Sequence, residues 1–185
     1  MPGSHEGLAQ EMELQKKGPA WDTIEAIVVA LVLALAIRLF LFEPFMIPSA
    51  SMEPTLMPGD RVMVNKLVYR LADPVPGDII VFRYPLDPRI IYIKRLVALG
   101  GQTVELRNGQ LFVDGRPVEE NYLPEDPASG GDFGPVRVPP NTYFVMGDNR
   151  NNSQDSRVWG PVPKENVVGK AQLLYWPPGR FRVVR

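Results

Sequence analysis

The longest apolar stretch of the chain lies near its N-terminus. Residues 23–42 are apolar apart from Thr23 and Glu25 at the start and Arg38 near the end. Twenty helical residues rise about 30 Å, which is enough to cross the hydrocarbon core of a bilayer. Long charged side chains near the ends of a span can reach the lipid headgroups. The pattern therefore predicts a transmembrane anchor over residues 23–42, preceded by a tail of residues 1–22.

Two other interpretations of this stretch are open. Residues 26–37, its uninterrupted apolar part, have the length of the apolar region of a cleavable signal peptide, and Ser49-Ala50 resembles a small-residue cleavage site. The other interpretation is a buried helix of a soluble protein. The apolar residues that follow Arg38 favour a retained anchor over both.

Basic residues flank this stretch unequally. Lys16 and Lys17 lie just before it, whereas the first basic residue after Arg38 is Arg61. Because basic residues concentrate on the cytoplasmic side of a span, the bias favours a cytoplasmic N-terminus and an external C-terminal domain.

From residue 43 onward, the apolar positions form short β-type runs rather than a helical repeat. Asn108-Gly109, between two of these runs, is typical of a two-residue hairpin turn. Short strands separated by turn residues favour an all-β domain with mostly antiparallel sheets over residues 43–185. The proline and glycine content of residues 123–140 predicts a small irregular excursion. The predicted strands are residues 61–64, 78–84, 90–99, 103–107, 110–113, 142–146 and 167–175.

The composition excludes several kinds of site. The chain has no cysteine, so disulfides, thiolate metal sites and a cysteine nucleophile are excluded. With His5 as its one histidine, the common zinc and iron ligand sets cannot be assembled either. The formal net charge of −1 gives no argument for nucleic-acid binding. We therefore expect no metal, no other cofactor and no nucleic-acid partner.

Two serines follow the apolar stretch and are held between prolines. Ser49 and Ser51 lie between Pro48 and Pro54. A serine hydroxyl is a weak nucleophile and needs a base beside it. Because His5 would lie on the other side of the bilayer, the base for a nucleophilic Ser51 must be another side chain.

Lys94 is the candidate base. In a strand over residues 90–99, Tyr92, Lys94 and Leu96 share one face, which gives the ammonium group apolar neighbours. Removal from water lowers the pKa of a lysine. A neutral lysine can take the serine proton and return it to a leaving amine. The alternative is an ordinary solvated lysine on an edge strand.

A dense polar loop, residues 147–157, follows the predicted strand at residues 142–146. Within it, Asp155 and Arg157 can pair, and Ser153 can hydrogen bond to a buried amine. A solvated turn would have the same composition. A calcium loop is disfavoured, because Arg150 occupies a ligand position and Trp159 stands where such loops carry a glutamate.

These segments resemble the sequence boxes of the type I bacterial signal peptidases. The boxes occur in the order of that family, and the resemblance runs from the anchor to about residue 160. It implies an all-β fold of coiled antiparallel sheets after one N-terminal transmembrane helix. The matching boxes are PSASM at residues 48–52 with PTL at 54–56, GDIIVF at 77–82, YIKR at 92–95, and GDNR at 147–150 with NS at 152–153 and DSR at 155–157.

The resemblance also implies roles for individual residues. Ser51 would be the acylating nucleophile and Lys94 the general base. Ser49 would supply a hydroxyl to the oxyanion hole beside the Ser51 N–H. Ser153 would orient the Lys94 amine, and the pair of Asp155 with Arg157 would stiffen the loop behind it.

An extended substrate would add as a strand between residues 47–49 and residues 91–93. Shallow pockets would accept alanine-sized side chains at the first and third substrate positions before the scissile bond. The residue between them would point away from the enzyme and could vary. Ordinary core packing is the alternative for each lining residue. The predicted substrate-binding residues are Ile47, Pro48, Met52, Leu56, Ile91, Tyr92 and Ile93.

The function implied by the resemblance is a membrane-anchored serine endopeptidase that removes signal peptides from exported preproteins. Its expected location is the bacterial plasma membrane, in a single pass, with the catalytic domain outside. The expected partners are signal-peptide-bearing preproteins, the lipid bilayer and the secretion translocon. Alternatives are another serine–lysine protease, such as a self-cleaving repressor or a pilus-protein maturase, and a β-domain that only binds a partner.

Overall fold

The structure is a computed structural model that describes residues 19–123 and 131–184. One long helix, α1, runs from Pro19 to Phe40. Proline suits the first position of a helix because no N–H is left unpaired there. The large apolar side chains along its described part, among them Leu31 and Val32, are more than half exposed. None of the helices in the described residues is both long enough and apolar enough to cross a membrane.

The helix ends before the apolar stretch does. Phe42 is already the first residue of strand β1 (Phe42–Met46) and pairs with Asn65 of strand β2 (Arg61–Asn65). β1 is the edge strand of its sheet, a position that tolerates Pro44 because an edge strand can leave one N–H position unused. Since both elements are rich in apolar residues, the sequence pattern does not mark the transition between them.

The β structure forms two antiparallel sheets. The larger sheet has the order β1-β2-β11-β3-β4-β9-β10, with β12 paired to β11, and the smaller has the order β7-β6-β5-β8. These sheets confirm the prediction of a mostly β, antiparallel domain. The further strands are β3 (Ile79–Tyr84), β4 (Asp87–Leu99), β5 (Thr103–Arg107), β6 (Gln110–Val113), β7 (Arg116–Pro117), β8 (Phe133–Arg137), β9 (Thr142–Met146), β10 (Val162–Pro163), β11 (Val167–Trp176) and β12 (Arg182–Val183).

Short helical turns connect several of these strands. The turns are α2 (Val68–Leu71), α3 (Ser156–Trp159), and 3₁₀ turns at Ala50–Met52, Lys164–Asn166 and Pro178–Arg180.

Every strand predicted from the sequence is present. The hairpin turn between β5 and β6 has positive φ angles at both central residues, 49° at Asn108 and 79° at Gly109. Those angles require residues that tolerate the left-handed region, which explains the Asn-Gly pair.

The prediction of an irregular excursion over residues 123–140 is wrong in its second half. Phe133–Arg137 form β8, which pairs with β5 in the smaller sheet. Pro135 lies inside this strand, and the strand is at the edge of its sheet, where a missing N–H is tolerated. A glycine and a proline in the middle of the strand hid its β pattern from sequence reasoning.

Three clusters of buried apolar side chains form the core. One contains Ile47, Met52 and Leu56 together with residues of β2, β3 and β11. It packs under the turn that carries Ser51 and fixes that turn against the larger sheet. The other two clusters lie around the smaller sheet and around the contact of β3, β4 and β9.

Candidate active site

Ser51 lies in the 3₁₀ turn Ala50–Met52. Its side chain is buried, and the next residue, Met52, is completely buried in the core. The chain that enters the turn is fixed by two hydrogen bonds at Ile47, whose N–H donates to the Asp60 carbonyl at 2.8 Å and whose carbonyl accepts from the Gly59 N–H at 2.8 Å. The chain is therefore fixed both before Ser51, at Ile47, and after it, at Met52. This fixes the position of the Ser51 hydroxyl.

Lys94 of β4 reaches this hydroxyl. Its Nζ lies 2.5 Å from Ser51 Oγ, and the Lys94 side chain is buried. The Ser49 hydroxyl lies 3.4 Å from Ser51 Oγ on the same site. A serine, a buried amine and a second hydroxyl are thus brought together from two distant parts of the chain.

The surroundings of Lys94 favour its neutral form. Burial lowers the pKa of Lys94 to about 8, and the charge of Arg157 acts in the same direction, while the carboxylates of Asp155 and Asp148 act against it. The Tyr92 ring lies 5.7 Å from Nζ on the same face of the strand. A substantial share of this lysine is therefore deprotonated near pH 8.

Asp155 holds the polar loop together behind the lysine. It accepts hydrogen bonds from the Gly147 N–H at 3.0 Å and from the Arg157 guanidinium at 2.9 and 2.8 Å. Burial alone would raise the pKa of Asp155, but the hydrogen bonds from Arg157 and Gly147 hold it below its usual value. Arg157 also donates to the Arg150 carbonyl at 2.9 Å, which ties the two halves of the loop.

Gly147 is the point where the loop meets the Ser51 turn. A Cβ at this position would collide with the Ser51 carbonyl and with the Ser153 side chain. The contact therefore requires glycine. The Ser153 hydroxyl is buried here, and its polar contact with Asp155 contributes to the lowered pKa of that carboxyl.

A buried ion pair lies next to this contact. Arg95 donates to both carboxylate oxygens of Asp148, at 2.9 and 2.7 Å, and Thr55 Oγ1 donates to the same carboxylate at 2.6 Å. The Tyr122 ring stacks on the Arg95 guanidinium at 3.7 Å. Asp148 is thereby fixed to β4 on one side and to the residues after Ser51 on the other.

A second buried ion pair reaches the loop from the smaller sheet. Glu120, three residues beyond β7, accepts from Arg150 at 2.8 and 2.5 Å. The exposed fractions of the two side chains are 6% and 1%. Arg150 in turn donates to the Gly147 carbonyl at 3.2 Å. The polar loop is therefore bound both to β4 of the larger sheet, through Asp148, and to the segment that follows β7 of the smaller sheet, through Arg150.

Ser51 and Lys94 open into a cleft of about 470 Å³. One wall is the turn at residues 48–51, a second is the β4 segment at residues 90–94, and the third is the polar loop. The other edge of β4 pairs with β3 from Asp87 to Arg95, whereas β9 pairs with the segment from Arg95 to Leu99. Among the described strands, the cleft-side edge of β4 before Arg95 has no pairing partner.

The predicted site residues divide into three groups. Lys94, Ser49, Ser51 and Ser153 meet at the cleft, and Asp155 with Arg157 lies behind it. Pro48, Ile91, Tyr92 and Ile93 line its walls. Ile47, Met52 and Leu56 do not, because they are 2%, 0% and 0% exposed and pack in the core below. For these three, the core-packing alternative describes their position.

Several residues of the site had no assigned role in the sequence. Asn149 and Arg150 belong to a recognised box, but the sequence does not say what they contact. Glu120 gave no signal, because it lies 30 positions before Arg150 in a segment with no motif. The remaining cleft residues that sequence reasoning missed are Ala50, Ile90, Asn151, Asn152 and Gln154.

No group of three or more metal-binding side chains of the His, Cys, Asp or Glu type comes together within residues 19–123 and 131–184.

The profile of the family described as "Signal peptidase, peptidase S26" matches residues 20–176. The match covers nearly all of α1, every strand except β12, and every residue of the site. The chain therefore belongs to the signal peptidase family, peptidase S26, as the sequence boxes predicted. It is an enzyme, a serine peptidase.

Curated relatives agree with this assignment. The chain is 47% identical over 167 residues to a probable signal peptidase I-1 of Synechocystis sp., covering 86% of this chain and 84% of the relative. It is 42% identical over 181 residues to signal peptidase I P of Bacillus subtilis subsp. natto, covering 93% and 97%. It is 41% identical over 216 aligned positions to signal peptidase I of Mycobacterium tuberculosis, covering 85% and 73%.

Proposed function

We propose that this enzyme removes signal peptides from exported preproteins, with Ser51 as the nucleophile and Lys94 as the general base. The observation that carries the proposal is the 2.5 Å contact between Lys94 Nζ and Ser51 Oγ in a buried site. A serine needs a base within hydrogen-bond reach. Lys94 is positioned for this task, and its lowered pKa makes the neutral amine accessible.

The reaction begins with attack of Ser51 Oγ on the carbonyl carbon of the scissile peptide bond. Neutral Lys94 accepts the hydroxyl proton as the new C–O bond forms. The negative charge moves to the carbonyl oxygen, where the Ser51 N–H and the Ser49 hydroxyl stabilise it. Lys94 then gives its proton to the leaving amine, the C–N bond breaks, and the signal peptide stays on Ser51 as an ester.

Water completes the turnover. Lys94 accepts a proton from water as the water oxygen attacks the ester carbonyl, and it returns that proton to Ser51 Oγ when the ester bond breaks. The Ser153 hydroxyl is buried beside Gly147 at the same cleft, and in these steps it would turn to hydrogen bond to the Lys94 amine and orient it. The pair of Asp155 with Arg157 keeps the loop behind it rigid.

Substrates bind as an added strand along the cleft. The unpaired edge of β4, including Ile91 and Ile93, offers backbone groups on one side. On the other side the available segment begins at Pro48, because both backbone groups of Ile47 are already bonded to Gly59 and Asp60. Side chains next to the cut must be small, since the floor below Ser51 is filled core; we therefore propose sites of the Ala-x-Ala type.

The apolar part of α1, residues 23–40, would anchor the enzyme in the bacterial plasma membrane in a single pass; Phe42, at the end of the predicted anchor, belongs instead to β1. This proposal rests on its apolar sequence and on the exposed apolar side chains of α1. The N-terminus would be cytoplasmic and the β domain external. There the bilayer and the secretion translocon would bring preproteins to the cleft.

The test is cleavage of a preprotein by the purified full chain in detergent, followed by N-terminal sequencing of the product. We expect one cut after a small-x-small site. Ser51→Ala should give no product while its circular dichroism matches the wild type. A wild type that binds the preprotein without cutting it, or a Ser51→Ala variant that cuts normally, would defeat the proposal.

A further inference from the structure

Asn149 makes two hydrogen bonds to the turn that carries Ser51. Its side-chain Nδ2 donates to the Ala50 carbonyl at 3.1 Å. Its backbone N–H donates to the Ser51 carbonyl, also at 3.1 Å. Two consecutive carbonyls of the nucleophile turn are therefore held by one residue of the polar loop.

The Ala50 carbonyl and the Ser51 N–H belong to the same peptide group. This peptide is trans, because the cis bonds of the described residues precede Pro54, Pro135 and Pro177. In a planar trans peptide the N–H points opposite to the C=O. Whatever fixes the direction of the Ala50 carbonyl therefore also fixes the direction of the Ser51 N–H.

The Ser51 N–H has no acceptor among the described residues. It is thus available to a substrate oxygen. A donor of this kind accelerates acyl transfer only when it is already aimed at the position that the oxyanion will occupy. Within the turn itself, one further bond restrains the peptide, from the Glu53 N–H to the Ala50 carbonyl at 3.1 Å.

The loop is a firm support for this contact. On one side of Asn149, Asp148 is bound by Arg95 and Thr55. On the other side, Arg150 is bound by Glu120. Because both neighbours are anchored in buried ion pairs, the Asn149 amide is held in a fixed position relative to the turn.

We propose that Asn149 is a positioning residue for the oxyanion hole, holding the Ala50 carbonyl so that the Ser51 N–H points at the substrate oxygen. The inference rests on the proposed acylation of Ser51. Asn149 acts through the Ala50–Ser51 peptide and not on the reacting atoms. Its side chain should therefore matter for the transition state and not for binding of the uncleaved substrate.

Asn149→Ala removes Nδ2 and keeps the backbone bond to Ser51. Loss of an oxyanion donor typically lowers kcat by roughly 10²–10³, so a donor that is only misaimed should lower kcat by roughly 10- to 100-fold. KM should stay within about twofold, the pattern of an interaction made only in the transition state. Asn149→Asp, of nearly the same shape, should lose at least as much activity and guards against a packing artefact of the alanine.

The matched control is Asn166→Ala. The Asn166 Nδ2 also donates to a backbone carbonyl at 3.1 Å, that of Arg83, outside the cleft. We expect wild-type kinetics from this variant. The melting temperatures of the Asn149 and Asn166 variants are compared as well. They show whether a loss of activity is explained by a smaller fraction of folded protein.

A second measurement distinguishes a misoriented Ser51 N–H from a general disordering of the cleft. A peptide aldehyde that adds to Ser51 mimics the tetrahedral intermediate, and its Ki should rise in Asn149→Ala by the factor by which kcat/KM falls. Binding of an uncleaved peptide, measured in the Ser51→Ala background, should not change when Asn149→Ala is added.

The inference is wrong if both Asn149 variants keep kcat within threefold of the control. It is also wrong if aldehyde and peptide binding weaken equally, or if the loss of activity matches the loss of folded protein. Failure of the proposed function would appear differently, as a wild type without cleavage or a Ser51→Ala variant with normal cleavage.

Discussion

The amine of Lys94 is in an environment that opposes its own charge. It is buried beside an aromatic ring, and the two nearest carboxylates, of Asp155 and Asp148, are each bound by an arginine. Burial lowers the pKa of Lys94 to about 8 although both carboxylates act against it, and the charge of Arg157 acts in the same direction as burial. Arg157 therefore favours the neutral lysine as well as pairing with Asp155.

This environment has a cost in stability that can be measured. The pKa of Lys94 falls from 10.5 to about 8 on folding, so between these values the unfolded chain binds more protons and stability rises with pH. Below pH 8 the charged, buried amine destabilises the fold. Lys94→Met should therefore raise the free energy of unfolding at pH 7 by about 3 kcal/mol, and the gain should shrink between pH 8 and pH 10. Chemical denaturation across this range is the measurement.

Lys164→Met is the control, because Lys164 is a surface residue paired with Asp73 and its pKa is raised rather than lowered. It should change stability little at any pH. Equal or lower stability of Lys94→Met at pH 7 would contradict the burial argument.

The two serines of the turn should differ in their importance. Ser51→Ala removes the nucleophile and should abolish turnover. Ser49→Ala removes one donor to the oxyanion and should lower kcat by roughly 10²–10³. Single-turnover cleavage of a preprotein measures both. If Ser49→Ala is the more damaging change, the roles of the two serines are reversed.

Among the secondary-structure elements, β4 has a double role. From Asp87 to Arg95 it pairs with β3, from Arg95 to Leu99 it pairs with β9, and before Arg95 its cleft side is an open edge. In the proposed mechanism this strand would supply both the lysine base and the edge to which the substrate pairs. It would therefore set the depth at which a bound substrate lies relative to Ser51.

Strand addition predicts an alternating specificity. Side chains at the first and third positions before the cut point toward the enzyme, and the second points away. Below the turn the space is filled by Met52 and Leu56, so a large side chain would overfill the pocket at a cost of about 1–3 kcal/mol. We expect kcat/KM to fall steeply from Ala through Val and Leu to Phe at the two outer positions and to stay flat at the middle one. Equal rates for Phe and Ala next to the cut would exclude a shallow pocket.

The segment after β7 links the smaller sheet to the polar loop through Glu120. Glu120→Ala would leave Arg150 buried and unpaired, which typically costs about 3–5 kcal/mol. Its neighbour Glu119 is exposed, and Glu119→Ala should change the free energy of unfolding by less than about 0.5 kcal/mol. Denaturant unfolding of the two variants compares them directly. Equal stabilities would mean that the ion pair does not hold the sheets to the loop.

Across the whole molecule, sequence reasoning succeeded where local chemistry decides structure. The Asn108-Gly109 turn and the short apolar runs of β2 to β6, bounded by turn residues, were predictable because each pattern has one favoured backbone. β8 was not, since Pro135 is acceptable only at a sheet edge, and no sequence pattern says which strand is at the edge. The pairing of Glu120 with Arg150 depends on how two sheets meet, which local patterns do not contain.

The candidate site shows the same division. Ser51 and Lys94 were assigned from family boxes, and the structure brings the two side chains into contact. Met52 and Leu56 were assigned to pockets because they are apolar and adjacent to Ser51. Apolar residues near a site fill the core under it as readily as its surface, and only the folded packing distinguishes the two.

The proposed membrane attachment can be tested in cells. If residues 23–40 span the bilayer, the protein should stay with membranes during alkaline extraction, and protease added outside should reach the β domain. Leu31→Arg should lower the inserted fraction, because arginine at the centre of a span costs about 2.5–3.5 kcal/mol. Leu71→Arg, on an exposed residue of α2, should not. Complete release of the wild type by alkali would contradict the anchor.

We propose that a neutral Lys94 takes the proton of Ser51. This proton transfer is tested by the pH dependence of kcat/KM for a peptide whose own groups do not titrate between pH 6 and pH 10. We expect a rate that rises with a single apparent pKa near 8 and then levels off. Lys94→Arg, which stays protonated, should be inactive across the range although it keeps the positive charge. A rate that does not change with pH, or substantial cleavage by Lys94→Arg, would rule out Lys94 as the base.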